Sequence, residues 1–312
     1  MQRRTFVALV AATGTALAAP VRTFGRTNAG TATPTVEGDE IEMTDTAPRT
    51  GYAPVNGLEM YYEIHGTGGV PLVLLHGGFS TINIDFGRVL PALSKTRQVI
   101  GVEQQGHGHT GDIDRPLRYD LMADDTIALL EYLGIDQADL FGYSVGSAVA
   151  LEIATKRPDL VRKLVLATVI INPEGFHPEL LVGLEHMTVE MLAGSPFHEE
   201  YLRVAPNPDA WPEVFAKKQR MDKAWQGWSE EFVGSITAPA LIIAGDADIV
   251  RPEHAVEVFR LFGGVVAGDM VGLPPARLAV LPGTTHVTLV HRGEWLASMV
   301  TEFLNAPMPG AG

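Results

Sequence analysis

Short apolar runs separated by helical segments constrain this chain more than any other feature. Pro71–Leu75, Gln98–Val102, Ala138–Tyr143, Leu164–Leu166, Ala240–Ala244 and Leu278–Leu281 read as strands. A run such as Pro71-Leu72-Val73-Leu74-Leu75 has no polar alternation, as expected of a strand covered on both faces. Helical spacing appears at Phe86–Leu93, Leu121–Leu133, after Tyr143 up to Pro158, at Pro252–Phe262 and at Glu294–Leu304. Strands alternating with helices imply right-handed crossovers and a mostly parallel sheet. Ahead of them, Tyr52–Val55 and Leu58–Ile64 flank Asn56-Gly57, a strong signal for an antiparallel hairpin.

One strand has an unusual exit. Leu140-Phe141-Gly142-Tyr143-Ser144-Val145-Gly146-Ser147-Ala148 predicts a buried strand, a Gly-x-Ser-x-Gly turn and a helix. Such a turn strains the serine backbone and lifts its hydroxyl clear of the chain. Glycines flank the serine because side chains there would collide across the turn. A serine hydroxyl is protonated at neutral pH, so it attacks a carbonyl only beside a base that an acid orients. In parallel sheets ligands gather at the carboxyl ends of the strands. Two late strands end suitably: Ala244 leads into Gly245-Asp246-Ala247-Asp248, and Leu281 into Pro282-Gly283-Thr284-Thr285-His286. The chain order is Ser, Asp, His.

From about Gly51 to Asn305 the chain resembles an α/β-hydrolase with a helical cap. His76-Gly77-Gly78, Gly142-Tyr143-Ser144-Val145-Gly146, Gly245-Asp246-Ala247-Asp248 and Gly283-Thr284-Thr285-His286 carry the resemblance. Each is weak alone; four in order at strand ends are specific. The resemblance implies Ser144 as nucleophile, His286 as base and Asp248 as acid. Asp246 is the rival acid, and the family's Gly-x-x-Asp pattern favours Asp248. His76 is expected to brace the loop after the Pro71–Leu75 strand. Glu103, Gln104 and Gln105 depart from the commoner Asp-x-x-Gly-x-Gly loop of the family.

An oxyanion hole needs two backbone N–H groups. Val145, opening a helix, supplies one candidate, and Gly78 the other ahead of Phe79. Residues 172–235 break the strand–helix rhythm and read as an inserted cap, with helical segments at Glu179–Leu192 and Pro212–Trp228. Core segments are expected at 51–171 and 236–306, and a tail at 307–312. The cap holds three of the chain's four tryptophans, and most of its apolar residues should form its own small core. Phe79, Tyr143 and Trp225 are expected to line the substrate pocket.

These features predict hydrolysis of a carboxylic ester of a small, apolar molecule through an acyl-enzyme. Lactone hydrolysis, C–C bond hydrolysis and cofactor-free perhydrolysis use the same triad and stay open, as does a non-catalytic ligand-binding role. The serine argues against the aspartate-nucleophile dehalogenases and epoxide hydrolases of this fold. The chemistry calls for no cofactor and no metal; the His107 and His109 pair lacks a clear third ligand.

The net charge of −14 disfavours nucleic acid and anionic membranes as partners. The chain has no cysteine, which excludes disulfides and thiolate chemistry. Arg3-Arg4 before the apolar run Val7–Ala19, with Ala16-Leu17-Ala18 as a cleavage site, resembles a twin-arginine signal over residues 1–18. Its loss would remove two arginines and no acid, taking −14 to −16. The run is too short to span a membrane. Residues 19–50 read as a flexible linker. Export to the periplasm or beyond is the expectation, and a cytoplasmic location the alternative.

Overall fold

The computed structural model describes residues 47–309. The expected signal segment and most of the linker lie outside the described residues. The fold starts slightly earlier than expected, with β1 at Arg49–Val55. β2 is Leu58–His65. Asn56 and Gly57 between them have φ of 50° and 85°, the left-handed pair that a tight hairpin requires.

The alternating part follows: β3 Leu72–Leu75, α1 Ile82–Phe86, α2 Leu90–Leu93, β4 Val99–Val102, α3 Tyr119–Tyr132, β5 Ala138–Tyr143, α4 Val145–Lys156 and β6 Val161–Ala167. The helix expected at Phe86–Leu93 is thus two short helices meeting around Gly87–Val89. Then come α5 Pro178–Glu185, α6 Pro196–Val204, α7 Trp211–Ala224 and α8 Glu230–Gly234. The chain closes with β7 Ala240–Gly245, α9 Pro252–Leu261, α10 Gly268–Val271, β8 Ala276–Leu281, α11 His286–Leu289 and α12 Gly293–Asn305.

The eight strands form one sheet in the order β1-β2-β4-β3-β5-β6-β7-β8. The β1–β2 and β2–β4 pairs are antiparallel; all the others are parallel. The sheet is therefore mostly parallel, with the antiparallel hairpin at one edge.

Strand alternation divides the core between the two faces of the sheet. Val73, Leu75, Leu140, Leu164 and Ile242 face a cluster built with α3, α4 and α9. Leu72, Leu74, Phe141, Tyr143 and Val165 face the opposite cluster, built with α1, α2 and α12. Residues 172–235 contain helices and no named strand. Val233 of α8 and neighbouring Ile236, like Met221 of α7, pack with the α4 side of the main core.

Candidate active site

Three of the predicted residues meet at the carboxyl end of the sheet. Ser144 has φ 54° and ψ −117°, the strained backbone expected between a strand and a helix. The turn is locked from several sides. Ser144 N–H donates to Ala167 O at 2.9 Å, and Ser147 Oγ lies 2.8 Å from Gly142 O and 2.9 Å from Ala167 O, sharing its one hydroxyl proton between them. A Cβ on Gly146 would lie 1.8 Å from Leu75 O, and one on Gly142 would lie 2.3 Å from Gly146 O. The strand-to-helix crossing thus fits only where both flanking residues lack side chains.

His286 opens α11, with Thr285 and Thr288 forming a capping box around it. Its Nε2 lies 3.2 Å from Ser144 Oγ, and its Nδ1 lies 2.9 Å from Asp248 Oδ1. The Asp248 carboxylate is buried and also accepts from the N–H groups of Gly245 and Val250. An ionised carboxylate only accepts, so Nδ1 holds the imidazole proton and Nε2 presents its lone pair to the serine. Asp246 does different work. It accepts from Thr284 N–H, and its carboxyl is held below the usual range by backbone hydrogen bonds from Gly283 and Thr284. With Ala247 N–H donating to Thr284 O, it laces the acid loop to the histidine loop.

The loop after β3 sits opposite Ser144. Gly77 N–H is committed to the Asp85 carboxylate at 2.7 Å, which leaves Gly78 and Phe79 as the residues of this loop that line the cavity. Burial raises the Asp85 carboxyl. Phe79 has φ 59°, and its ring stacks on Phe215. His76 is wholly buried. Its Nδ1–H donates to Gly77 O, and its Nε2 accepts from Gln104 N–H, so it ties this loop to the next. The departure at Glu103 also has a structural account. Its buried carboxylate accepts from Ile82 N–H and from the N–H and Nδ1–H of His109. Gly108, with φ 53°, lies so close that a Cβ would reach 2.1 Å from Glu103 Oε2. Among the described residues no group of three or more His, Asp or Glu side chains could hold a metal ion.

Ser144, Gly78, Phe79 and Val145 open onto a cavity of about 470 Å³. Its walls include Leu180, Leu181, Leu184 and Met187 on or after α5, and Trp225 after α7. The reading of Tyr143 as a pocket residue is corrected. Tyr143 is buried on the face of the sheet that carries Phe141, and its hydroxyl donates to His286 O at 2.9 Å. Strand alternation turns it under the histidine rather than toward the cavity. Sequence reasoning missed Lys218, Asp222 and Thr168, which also line the cavity. Lys218 and Asp222 are spaced like any exposed helix ion pair. The signature of Thr168 is a φ of 54°, visible only in the fold.

Comparison with known proteins agrees with this architecture. A family described as "alpha/beta hydrolase fold" matches residues 70–188. The protein named "Putative carbamate hydrolase RutD" from Azorhizobium caulinodans is 31% identical over 262 residues, which cover 75% of this chain and 91% of that one. The 2-hydroxymuconate semialdehyde hydrolase of Pseudomonas sp. is 35% identical over 127 residues, 36% of this chain and 45% of that protein. The chain spans less than half the length of several curated relatives it matches, 39–45% for three of them. Among solved structures, a meta-cleavage product hydrolase from Pseudomonas fluorescens IP01 superposes with a TM-score of 0.67 at 21% identity, covering 82% of this chain and 97% of that one. Among the described residues no helix is long and apolar enough to cross a membrane.

Proposed function

The chain belongs to the α/β-hydrolase fold family, and on that premise we propose that it is a serine hydrolase cleaving carboxylic esters through an acyl-enzyme. The observation that carries this reading is the unbroken relay from Asp248 through His286 to Ser144 Oγ, opening on a cavity with an apolar wall. Ser144 Oγ attacks the ester carbonyl while His286 Nε2 takes its proton. The N–H groups of Val145 and Gly78 receive the developing oxyanion. His286 returns the proton to the leaving alkoxide, and the alcohol departs. Water then repeats the sequence on the acyl-enzyme and releases the acid. Asp248 holds the imidazole in the required tautomer throughout and stabilises the imidazolium that forms.

p-Nitrophenyl acetate tests this reading. A p-nitrophenol burst close to one equivalent, followed by slower turnover, is the expected result. Absence of both burst and turnover would overturn it in favour of a non-catalytic binder. Carbamates are the second substrate class to try, because the full-length relative from A. caulinodans carries that name. Lactones and C–C substrates complete the panel.

Export is proposed on the Arg3-Arg4 segment alone. N-terminal sequencing of protein from the culture medium or periplasm checks it, and retention of Arg3 and Arg4 there would contradict a cleaved signal.

A further inference from the structure

The cavity wall supplied by α7 is not apolar throughout. Lys218 is buried, with its side chain only 9% exposed, and lines the same cavity as Ser144. Its Nζ lies 2.6 and 2.7 Å from the two carboxylate oxygens of Asp222, one helical turn on. The ammonium also stands 5.9 Å from the centre of the Phe79 ring. It crowds the oxyanion loop: a Cβ on Gly78 would lie 2.9 Å from Lys218 Cε and 3.6 Å from Nζ. Asp222 pairs the buried ammonium through its two carboxylate oxygens, and a lysine ammonium carries three N–H donors, so one is left for a ligand in the cavity.

Two further polar groups on the cavity-lining residues are unused. Among the described residues, Thr168 Oγ1 and Trp225 Nε1 are buried without a hydrogen-bond partner. Thr168 is also a β-branched residue held at φ 54°, a strained conformation that persists only where the surroundings impose it. Trp Nε1–H only donates, a threonine hydroxyl can donate, and an ammonium has three donors of which Asp222 does not use all. The acceptor carboxylate of Asp222 is already engaged by Lys218. The Nζ–H of Lys218 that Asp222 leaves over is satisfied best by a ligand that brings an acceptor.

We propose that Lys218 is a specificity-determining residue that receives a substrate carboxylate close to the scissile carbonyl, so that half-esters of dicarboxylic acids are preferred over neutral esters. A carboxylate fits this wall because it is acceptor-only, offers about four lone-pair sites and can share the Lys218 ammonium with Asp222. Asp222 balances Lys218 and modulates the pull on the anion. Lys223 and Glu185, also on the wall, offset each other in charge. This inference rests on the ester-hydrolase reading.

Two measurements test them separately. The first is binding of monoethyl glutarate and diethyl glutarate to the Ser144→Ala protein, followed by tryptophan fluorescence or calorimetry. The half-ester should bind at least tenfold tighter. Lys218→Met should bring that ratio close to one, and Lys218→Arg should retain most of it. Asp222→Asn should raise the ratio, a change of opposite sign that a merely structural role would not give. Equal binding of the two ligands, or a ratio unmoved by both Lys218→Met and Asp222→Asn, would overturn the inference. The second is the ratio of kcat/KM for the two ligands on the wild-type enzyme, expected to favour the half-ester by the same order. Anion-selective binding without ester turnover would sustain the role of Lys218 and sink the ester reading. Turnover without anion selectivity would do the reverse.

Discussion

The floor and the roof of the cavity are built on different terms. The floor is backbone. Ser144, Asp248 and His286 stand at the ends of β5, β7 and β8, and their loops are tied by main-chain bonds and by glycines with no room for a Cβ. The roof is side chain. α5 has no buried residue, and α7 contributes its wall through Lys218 and the flanking Trp225. A floor made of backbone admits few alternatives and fixes the chemistry. A roof made of side chains can change residue by residue and sets what reaches Ser144.

The sharpest way to break this contrast is at the reacting atoms. Ser144→Ala and His286→Ala should each lower kcat by on the order of 10⁴ to 10⁶, and Asp248→Asn by about 10⁴. Asp246→Asn should change kcat less than about threefold, since its carboxylate serves only the loop. Steady-state kinetics on one ester checks all four; an Asp246 variant as damaged as the Asp248 variant would reverse the assignment of the acid.

Stability should separate the two regions next. Gly146→Ala pushes a methyl against the Leu75 carbonyl, where neither backbone can yield, and should cost about 3 kcal/mol or more in urea unfolding. Gly194→Ala, in the roof, meets no atom within 4 Å and pays only for its φ of 72°, about 1–2 kcal/mol. Comparable losses at the two positions would remove the distinction.

Acid should act on the floor as well. Burial lowers the His107 imidazole to about 3, beside His76 in the loop after β3. The unfolded chain binds that proton near pH 6.5, so the neutral ring favours the fold above that pH. Its contribution is lost as pH falls from about 6.5 toward 3, at about 1.4 kcal/mol per pH unit. Urea midpoints between pH 7 and 5 should fall accordingly, and His107→Gln should flatten the slope. The smallest effect belongs to the roof. Trp225→Phe removes Nε1–H together with the pyrrole half of the indole from the cavity wall, so it should change KM by about 2–10-fold with little effect on kcat.

The same contrast explains what could be read from the chain. Ser144 and His286 were legible because each stands just past an apolar run, whereas Asp248 was separated from Asp246 only by the Gly-x-x-Asp pattern of the family it resembles. The eight-stranded sheet was legible for the same reason, through runs that need cover on both faces. Tyr143 was misplaced although strand alternation with Phe141 held the answer. Lys218 and Asp222 carried no signal, since a Lys–Asp pair one turn apart describes a solvated helix face equally well. Only the packing of α7 over Gly78 turns that pair inward. The break around Gly87–Val89 was hidden because the apolar spacing of Phe86, Leu90 and Leu93 runs on across it.

The central claim is that Ser144 is a nucleophile activated by His286. Labelling with a fluorophosphonate probe, followed by peptide mass spectrometry, tests it most directly. The adduct is expected on the peptide containing Ser144 in the wild-type protein, absent in Ser144→Ala and slowed by orders of magnitude in His286→Ala. An unlabelled Ser144, or labelling that proceeds unchanged in His286→Ala, would contradict it.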